Sequence, residues 1–212
     1  EGLDYTIISE SPKNRKIINT QMIDHDKRSI LHDNISKILH DKEQVYWVCS
    51  CIDYTESSES EYVQGVYEDL SNRFATTSIG MLHGRVDSKE NIKTMKKFVS
   101  GEIQILVCTT MIEVGVDVAN ATCIVIEDPN RFGLSQLHQL RGRVGRSEKQ
   151  SYCYLVCKNN LSDHALYRLK ALELNSSGFK IAEEDLKLRG SGDYLGHKQS
   201  GANHNFKLAT PD

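Results

Sequence analysis

Six short apolar runs alternate with segments of helical periodicity, and this alternation constrains the fold more than any other feature of the chain. The runs are Ile17–Met22, Gln44–Ser50, Ser78–Leu82, Ile103–Cys108, Thr122–Ile126 and Ser151–Cys157. Short strands with helices between them are typical of βαβ units around a parallel sheet. Ligands of such sheets gather at the carboxyl ends of the strands, so we expect functional residues there.

Apolar residues recur at helical spacing in three of the intervals between these runs. They are Ile30, Leu31, Ile35, Ile38 and Leu39, then Tyr62, Val63, Val66, Tyr67, Leu70 and Phe74, and finally Ile92, Met95 and Val99. Ser88 precedes the third group at the position of a helix cap. The sequence therefore predicts one α/β domain whose strands are connected by helices.

The pattern changes after residue 158, where alternation gives way to two helical segments and a loop. These elements are the helix Asp163–Leu174, the turn Asn175–Gly178, the helix Phe179–Leu188 and the glycine-rich stretch Arg189–Gly201. At the other end, Leu3–Ile8 indicates a strand and Pro12 a connector. We therefore expect a connector at residues 1–12, an α/β lobe at 13–158 and a helical hairpin with a loop at 159–212.

Composition narrows the classes of partner. The chain has 26 Lys and Arg against 29 Asp and Glu, so any nucleic-acid surface must be local. It starts at Glu1 and contains no apolar run long enough to cross a bilayer, which indicates a soluble piece of a longer protein without a membrane partner. Its six cysteines mostly lie in apolar runs and form no CxxC pair. We expect reduced core cysteines and no metal site.

The stretch Ser135–Arg146 is the most informative in the chain. As a helix with about 100° per residue, it would place Gln139, Arg143 and Arg146 on one side and an apolar stripe on the other. Two arginines on one face suit multidentate capture of phosphate oxygens. A solvated basic face is the alternative, but the glycines between the arginines lower helix stability without an evident packing gain.

This stretch resembles motif VI (QxxGRxGR) of superfamily 2 helicases. The resemblance implies that Arg146 is an arginine finger for the γ-phosphate of an ATP held by another lobe, with Arg143 on the phosphates and Gln139 sensing the nucleotide. Arg141 falls nearer the apolar side and is expected to be a structural or inter-lobe residue.

Two further segments resemble helicase motifs that follow strands. Leu106–Val118 is similar to motif V, which implies that Thr109 and Thr110 contact a nucleic-acid backbone and that Gly115 and Asp117 lie near the nucleotide. Helix capping is the alternative for the two threonines, and a turn for Asp117. His83, Gly84 and Arg85 follow an earlier strand and resemble a second backbone-contacting motif, from which we expect His83 and Gly84 to bind DNA.

One apparent catalytic feature is a decoy. The run Thr122–Ile126 leads into Glu127 and Asp128, which has the form of a Walker B strand. The chain contains no GxxxxGK[ST] segment, so no loop of its own would cradle the β- and γ-phosphates. We expect the two acids to be ordinary residues at the start of a loop.

The C-terminal segment narrows the family further. Gly178–Gly201 resembles the TRG motif shared by RecG-type helicases and the transcription-repair coupling translocase, with departures at Ser191 and Asp193. In that family the hairpin and loop transmit ATP-driven lobe motion to the duplex. Matching positions imply this coupling role for Arg168, Arg189 and Gln199.

The resemblance to RecG-type DNA helicases extends over essentially the whole chain. It implies a RecA-like parallel sheet flanked by helices, acting as the second motor lobe against a first RecA-like lobe of the same protein. It also implies a cytoplasmic, monomeric enzyme that uses ATP and Mg²⁺, bound mainly by the first lobe, to remodel branched double-stranded DNA in recombination and repair. The alternatives are a relative of the coupling translocase and a module that binds nucleotide or nucleic acid without turnover.

Overall fold

The computed structural model describes residues 16–50, 56–84, 87–109, 117–178 and 180–187. Several expectations fall outside these residues: the connector at 1–12, the strand at Leu3–Ile8 and the glycine-rich loop at Arg189–Gly201. The division of the chain at residue 158 stays a prediction.

Six strands form one sheet in which every neighbouring pair is parallel. They are β1 (Asn19–Asp24), β2 (Gln44–Val48), β3 (Ile79–Leu82), β4 (Ile105–Cys108), β5 (Ala121–Glu127) and β6 (Tyr152–Cys157). The order across the sheet is β1-β6-β5-β2-β4-β3. Each strand overlaps one predicted run, with ends that differ by one or two residues. The predicted α/β parallel-sheet fold is therefore confirmed.

Five helices accompany the sheet within the described ranges. They are α1 (Arg28–His40), α2 (Glu56–Arg73), α3 (Ser88–Val99), α4 (Leu134–Arg141) and α5 (Asp163–Leu174). Helical backbone resumes at 178 and covers 180–187, where the second helix of the hairpin was predicted. The predicted cap of α3 was wrong by one residue, because the Asp87 carboxylate, and not Ser88, accepts the Lys89 amide at 3.1 Å.

Alternate residues of the central strands face two separate core layers. Tyr46, Leu106 and Ile124 point into one layer, and Trp47, Val107 and Val125 point into the other. All six side chains have no exposed surface, as expected for a parallel sheet with helices on both faces. The strands of such a sheet can therefore present polar residues to a ligand only at their ends.

Three residues of the predicted apolar stripes are exposed instead of buried. Ile30 is 53% exposed, Ile92 56% and Val99 46%. In the first and third cases the adjacent residue, Leu31 or Phe98, occupies the core position with no exposed surface. A shift of one residue rotates a side chain by about 100° around the helix, so runs of adjacent apolar residues do not reveal which member faces the sheet.

The hairpin shares the core of the lobe. Leu169 and Leu172 of α5 and Ile181 beyond it belong to the same buried cluster as Leu137 of α4 and Leu155 of β6. The five described cysteines are buried, which agrees with the expectation that they belong to the core. No helix among the described residues is long and apolar enough to cross a membrane.

Candidate functional site

The candidate arginines lie in a loop, not on a helix. The helix α4 ends at Arg141, and the Gly142 amide caps it by donating to the His138 carbonyl at 3.0 Å. The prediction of one helix through Arg146 was therefore wrong, and so was the helical face that grouped Gln139 with both arginines. Glycine is the weakest helix former after proline, which explains the early end of α4. We call residues 142–146 the arginine loop.

Gly145 fixes the path of the arginine loop. Its φ is +76°, and a Cβ built there would lie 2.9 Å from Cγ1 of Ile18. Gly142 differs, with a φ of −66° and its nearest contact to a Cβ at 3.4 Å, the carbonyl of Gln139. The sequence left Gly145 without a packing reason, whereas the structure supplies two: left-handed backbone and close contact with Ile18.

Arg146 forms an ion pair with Asp117 from motif V. The Nη1–Oδ2 distance is 2.5 Å, and Nε donates to the Gly142 carbonyl at 3.3 Å. The side chains are 33% and 61% exposed, so water and ligands can reach the pair. The structure thus brings together the two motifs that the sequence assigned to nucleotide contact.

Arg143 and Arg146 lie close enough to Tyr46 on β2 to affect the pKa of its phenol. Burial raises the pKa of the Tyr46 phenol, and the positive charges of Arg143 and Arg146 oppose that increase. Both arginines therefore lie within electrostatic range of one buried side chain on β2. Gln139 lies at an exposed position on α4.

The segment that follows the arginine loop is held at the amino-terminal edge of the sheet. Lys149 pairs with Glu43 at 3.1 Å, and Gln150 donates to the Ile17 carbonyl at 2.9 Å. Glu43 directly precedes β2, and Ile17 lies two residues before β1. Asp117 likewise precedes β5. The rule that ligand residues gather at carboxyl ends therefore does not describe the arginines.

The candidate DNA contacts obey that rule. His83 follows β3 and Thr109 follows β4, and the Thr109 amide donates to the Leu82 carbonyl at 3.4 Å. Their side chains are only 7% and 3% exposed. Gly84 lies in the turn after His83. Thr110 and Gly115 lie outside the described residues.

The two candidate groups occupy opposite sides of the sheet. His83 and Thr109 follow the carboxyl ends of β3 and β4, whereas the arginine loop contacts Ile18 and Ser151, which precede β1 and β6. The structure is therefore suited to two separate ligands, one for each group.

Glu127 and Asp128 are buried acids that form ion pairs with partly exposed basic side chains, which corrects their assignment as ordinary loop residues. Glu127 accepts Nη1 and Nη2 of Arg28 at 3.2 and 2.5 Å and the Trp47 indole N–H at 3.0 Å. Asp128 has a φ of +46° and accepts Lys158 at 2.7 Å. Both acids are 3% exposed. These contacts tie α1, β2 and β6 to the end of β5.

Arg168 and Arg141 connect the hairpin to the rest of the lobe. Arg168 donates from Nη2 to the Asn130 carbonyl at 3.0 Å, just before α4. Arg141 is 3% exposed and donates to carbonyls at the end of α5, which agrees with its expected structural role. Sequence reasoning missed its neighbour His138, for which no motif gave a signal. Arg189 and Gln199 lie outside the described residues.

The side chains of the arginine loop are suited to binding phosphate. A guanidinium has five N–H donors, and the contacts described for Arg146 involve Nε and Nη1.

Across the described ranges no group of three or more His, Cys, Asp or Glu side chains is arranged to hold a metal ion.

The chain resembles known helicases in sequence. Residues 26–148 match the family described as helicase conserved C-terminal domain, and residues 175–211 match ATP-dependent DNA helicase RecG, domain 3, C-terminal. The ATP-dependent DNA helicase RecG of Haemophilus influenzae is 42% identical over 94% of the chain and 29% of its own length. The Bacillus subtilis protein of that name is 41% identical over 98% of the chain and 30% of its own length.

Solved structures give the same relationship. RecG bound to a three-way DNA junction superposes with a TM-score of 0.74 and 39% identity, over 87% of this chain and 24% of that one. Domain 2 of a DEAD-box helicase bound to an RNA duplex shares the fold, with a TM-score of 0.58 and 19% identity over 81% of this chain and 69% of that one. The chain thus spans less than a third of the length of its RecG relatives. It belongs to the helicase conserved C-terminal domain family and is homologous to the C-terminal region of RecG ATP-dependent DNA helicases.

Proposed function

We propose that the protein containing this chain is an ATP-dependent helicase that remodels branched double-stranded DNA, such as stalled forks and Holliday junctions, in recombination and repair. The observation that carries the proposal is the pairing of Arg146 with Asp117 in a RecG-like chain that has no phosphate-cradling GxxxxGK[ST] loop. Arginines without such a loop suit one half of a shared ATP site. The other half, with Mg²⁺, would come from a first RecA-like lobe.

Within that shared site each residue has a distinct task. Arg146 contacts the γ-phosphate, where developing negative charge is stabilised by a guanidinium, and Arg143 contacts the phosphates beside it. Asp117 orients Arg146 through their ion pair. Gln139 and Gly115 complete the nucleotide contacts, following the motif resemblance.

The DNA backbone is contacted at the opposite edge. His83, Gly84, Thr109 and Thr110 supply hydrogen-bond donors to phosphate oxygens there. Arg168, Arg189 and Gln199 transmit movement to the duplex. The protein acts as a monomer in the cytoplasm, without a membrane partner.

Strand separation on a three-way junction tests the proposal. The full-length protein is mixed with a labelled junction, and the released strand is followed by gel electrophoresis. We expect release that needs hydrolysable ATP and Mg²⁺, and much less release from a linear duplex of the same sequence. No release from the junction at any protein concentration would contradict the proposal.

The isolated 212-residue chain provides the complementary test. We expect negligible ATP hydrolysis by this chain, with or without DNA, because it supplies only the arginine side of the site. Robust turnover by the purified chain would contradict the shared-site assignment.

A further inference from the structure

The side chain of Arg141 inserts into the C-terminal end of α5. Its Nη1 donates to the carbonyls of Leu172 at 2.6 Å and Asn175 at 2.8 Å, and Nη2 donates to the carbonyl of Ser176 at 3.4 Å. The last carbonyls of a helix lack amide donors and carry partial negative charge. One guanidinium therefore caps the first hairpin helix and also holds the turn after it.

The main chain of Arg141 ends α4 and leads directly into the arginine loop. Its carbonyl accepts the Val144 amide at 3.3 Å, and Arg143 follows two residues later. The side chain and the main chain of one residue thus join two elements that are 31 residues apart in sequence.

His138 adds a second contact between α4 and the hairpin turn. Its Nδ1 lies 3.1 Å from Nη2 of Arg141. A Cβ built on Gly178 would lie 2.8 Å from Nε2 of the same ring, so the turn packs against the histidine with no room for a side chain. Movement of α4 relative to the turn would break these contacts.

Holding two helices with a buried guanidinium is energetically costly. Within the part of the chain that the structure describes, no carboxylate pairs with Arg141, and burial lowers the pKa of its guanidinium. Apolar side chains often replace such buried charges without loss of stability. Directed hydrogen bonds to three carbonyls provide something that apolar packing does not, namely one fixed orientation of α5 relative to α4.

We propose that Arg141 is a positioning residue that makes α4, the arginine loop and the first hairpin helix move as one rigid body. This inference rests on the proposed function, in which ATP draws the arginine loop towards another lobe and the hairpin acts on the duplex. Arg141 then converts displacement of the loop into displacement of the hairpin.

The experiment compares ATP hydrolysis with strand separation in the full-length protein. Arg141→Lys keeps the charge but not the planar fork of donors, and Arg141→Met keeps the length without the charge. For both variants we expect DNA-stimulated ATP hydrolysis within about twofold of the wild type, while junctions unwound per ATP hydrolysed fall about tenfold. Gly178→Ala disturbs the contact between the turn and α4 from the hairpin side, because its Cβ would meet the His138 ring. We expect this variant to lower that ratio as well.

Ser135→Ala is the matched control. Its hydroxyl donates to Asp185 at 2.9 Å, so it also joins α4 to the hairpin, but it is exposed and forms a single bond. We expect this variant to keep the wild-type ratio of unwinding to hydrolysis. Thermal unfolding of each variant establishes that the ratio is measured on folded protein.

Three outcomes would overturn the inference. The first is an unchanged ratio of unwinding to hydrolysis in Arg141→Lys, Arg141→Met and Gly178→Ala. The second is an equal loss of hydrolysis and unwinding in these variants. The third is failure of all three variants to fold. A wild-type protein that hydrolyses no ATP and unwinds no junction would instead reject the proposed function, which separates the two failures.

Discussion

The two candidate regions of this lobe are built in opposite ways. His83 and Thr109 follow directly from strands, are 7% and 3% exposed, and are held by the geometry of the sheet. Arg146 lies in a loop, is partly exposed, and is held by one ion pair and one hydrogen bond to a carbonyl. The sheet positions the first region, whereas a glycine and a few polar contacts position the second.

This difference suits the two regions to different tasks. A site fixed by strand ends has little freedom to move, which suits tracking along a regular DNA backbone. Under the proposed function, Arg146 exchanges Asp117 for a phosphate when another lobe approaches, because each of its described contacts is replaceable. Mutations should therefore be able to damage one region without affecting the other.

The largest effect is expected for Arg146→Ala in the full-length protein. Loss of an arginine finger lowers ATP hydrolysis on the order of 10³-fold. DNA affinity should change by less than about twofold, because the residue lies near the opposite ends of the strands from the candidate DNA contacts. Steady-state hydrolysis and fluorescence anisotropy measure the two quantities.

Arg73→Ala is the control for lost positive charge. This arginine is also exposed but lies at the end of α2, away from the arginine loop. It should leave hydrolysis unchanged. Near-normal hydrolysis by Arg146→Ala would remove the arginine finger assignment.

A smaller effect is expected for Gly145→Ala. Left-handed backbone costs a residue with a Cβ about 1–2 kcal/mol, and the contact with Ile18 must also give way. We expect lower stability and a loss of hydrolysis on the order of tenfold, because Arg146 is displaced. Urea unfolding and steady-state hydrolysis test this result.

Gly142→Ala provides a matched comparison three residues earlier. Its backbone is right-handed and its nearest neighbour leaves room for a Cβ. We expect stability and hydrolysis close to wild type. Equal effects at the two glycines would show that the backbone at Gly145 has no special role.

A loss of DNA affinity of about fivefold is expected for Thr109→Val, the equivalent of about one hydrogen bond. The salt dependence of binding should stay unchanged, since counterion release depends on charged contacts. Thr122→Val is the control, because it removes a buried hydroxyl that donates to Glu43 at the other edge. If both variants lose affinity equally, the effect is one of stability and not of DNA contact.

The smallest effect is expected for the pH dependence of stability. Burial lowers the pKa of His32, and the charges of Arg73 and Arg28 lower it further. The unfolded chain therefore binds this proton more readily, so stability is fully present above the ordinary pKa near 6.5 and is lost as pH falls below it. We expect the urea midpoint, followed by Trp47 fluorescence, to fall with pH less steeply in His32→Gln than in wild type.

Local patterns in the sequence were enough to predict the sheet. Most of the predicted strands contain an apolar run of four or more residues, and a pattern of this kind depends only on neighbours in sequence. The end of α4 could also have been predicted from the sequence, because two glycines within four residues, Gly142 and Gly145, disfavour a helix. The helical spacing of Leu137, Leu140 and Val144 outweighed that signal and extended the predicted helix to Arg146.

Contacts between distant segments could not be predicted in this way. The pairing of Arg146 with Asp117, the contacts of Arg141 with the end of α5 and the bond from Arg28 to Glu127 each join different elements. Their partners are fixed by tertiary packing, which no local period encodes. Motif resemblance named residues on both sides of the first pair but gave no sign of the other two.

The most direct test of the account is a DNA titration of ATP hydrolysis by wild type, Arg146→Ala and Thr109→Val. If the two regions act separately, Arg146→Ala lowers the plateau without moving the half-saturating DNA concentration, and Thr109→Val moves that concentration without lowering the plateau. A change in both quantities in either variant would contradict the separation of nucleotide and DNA sites across the sheet.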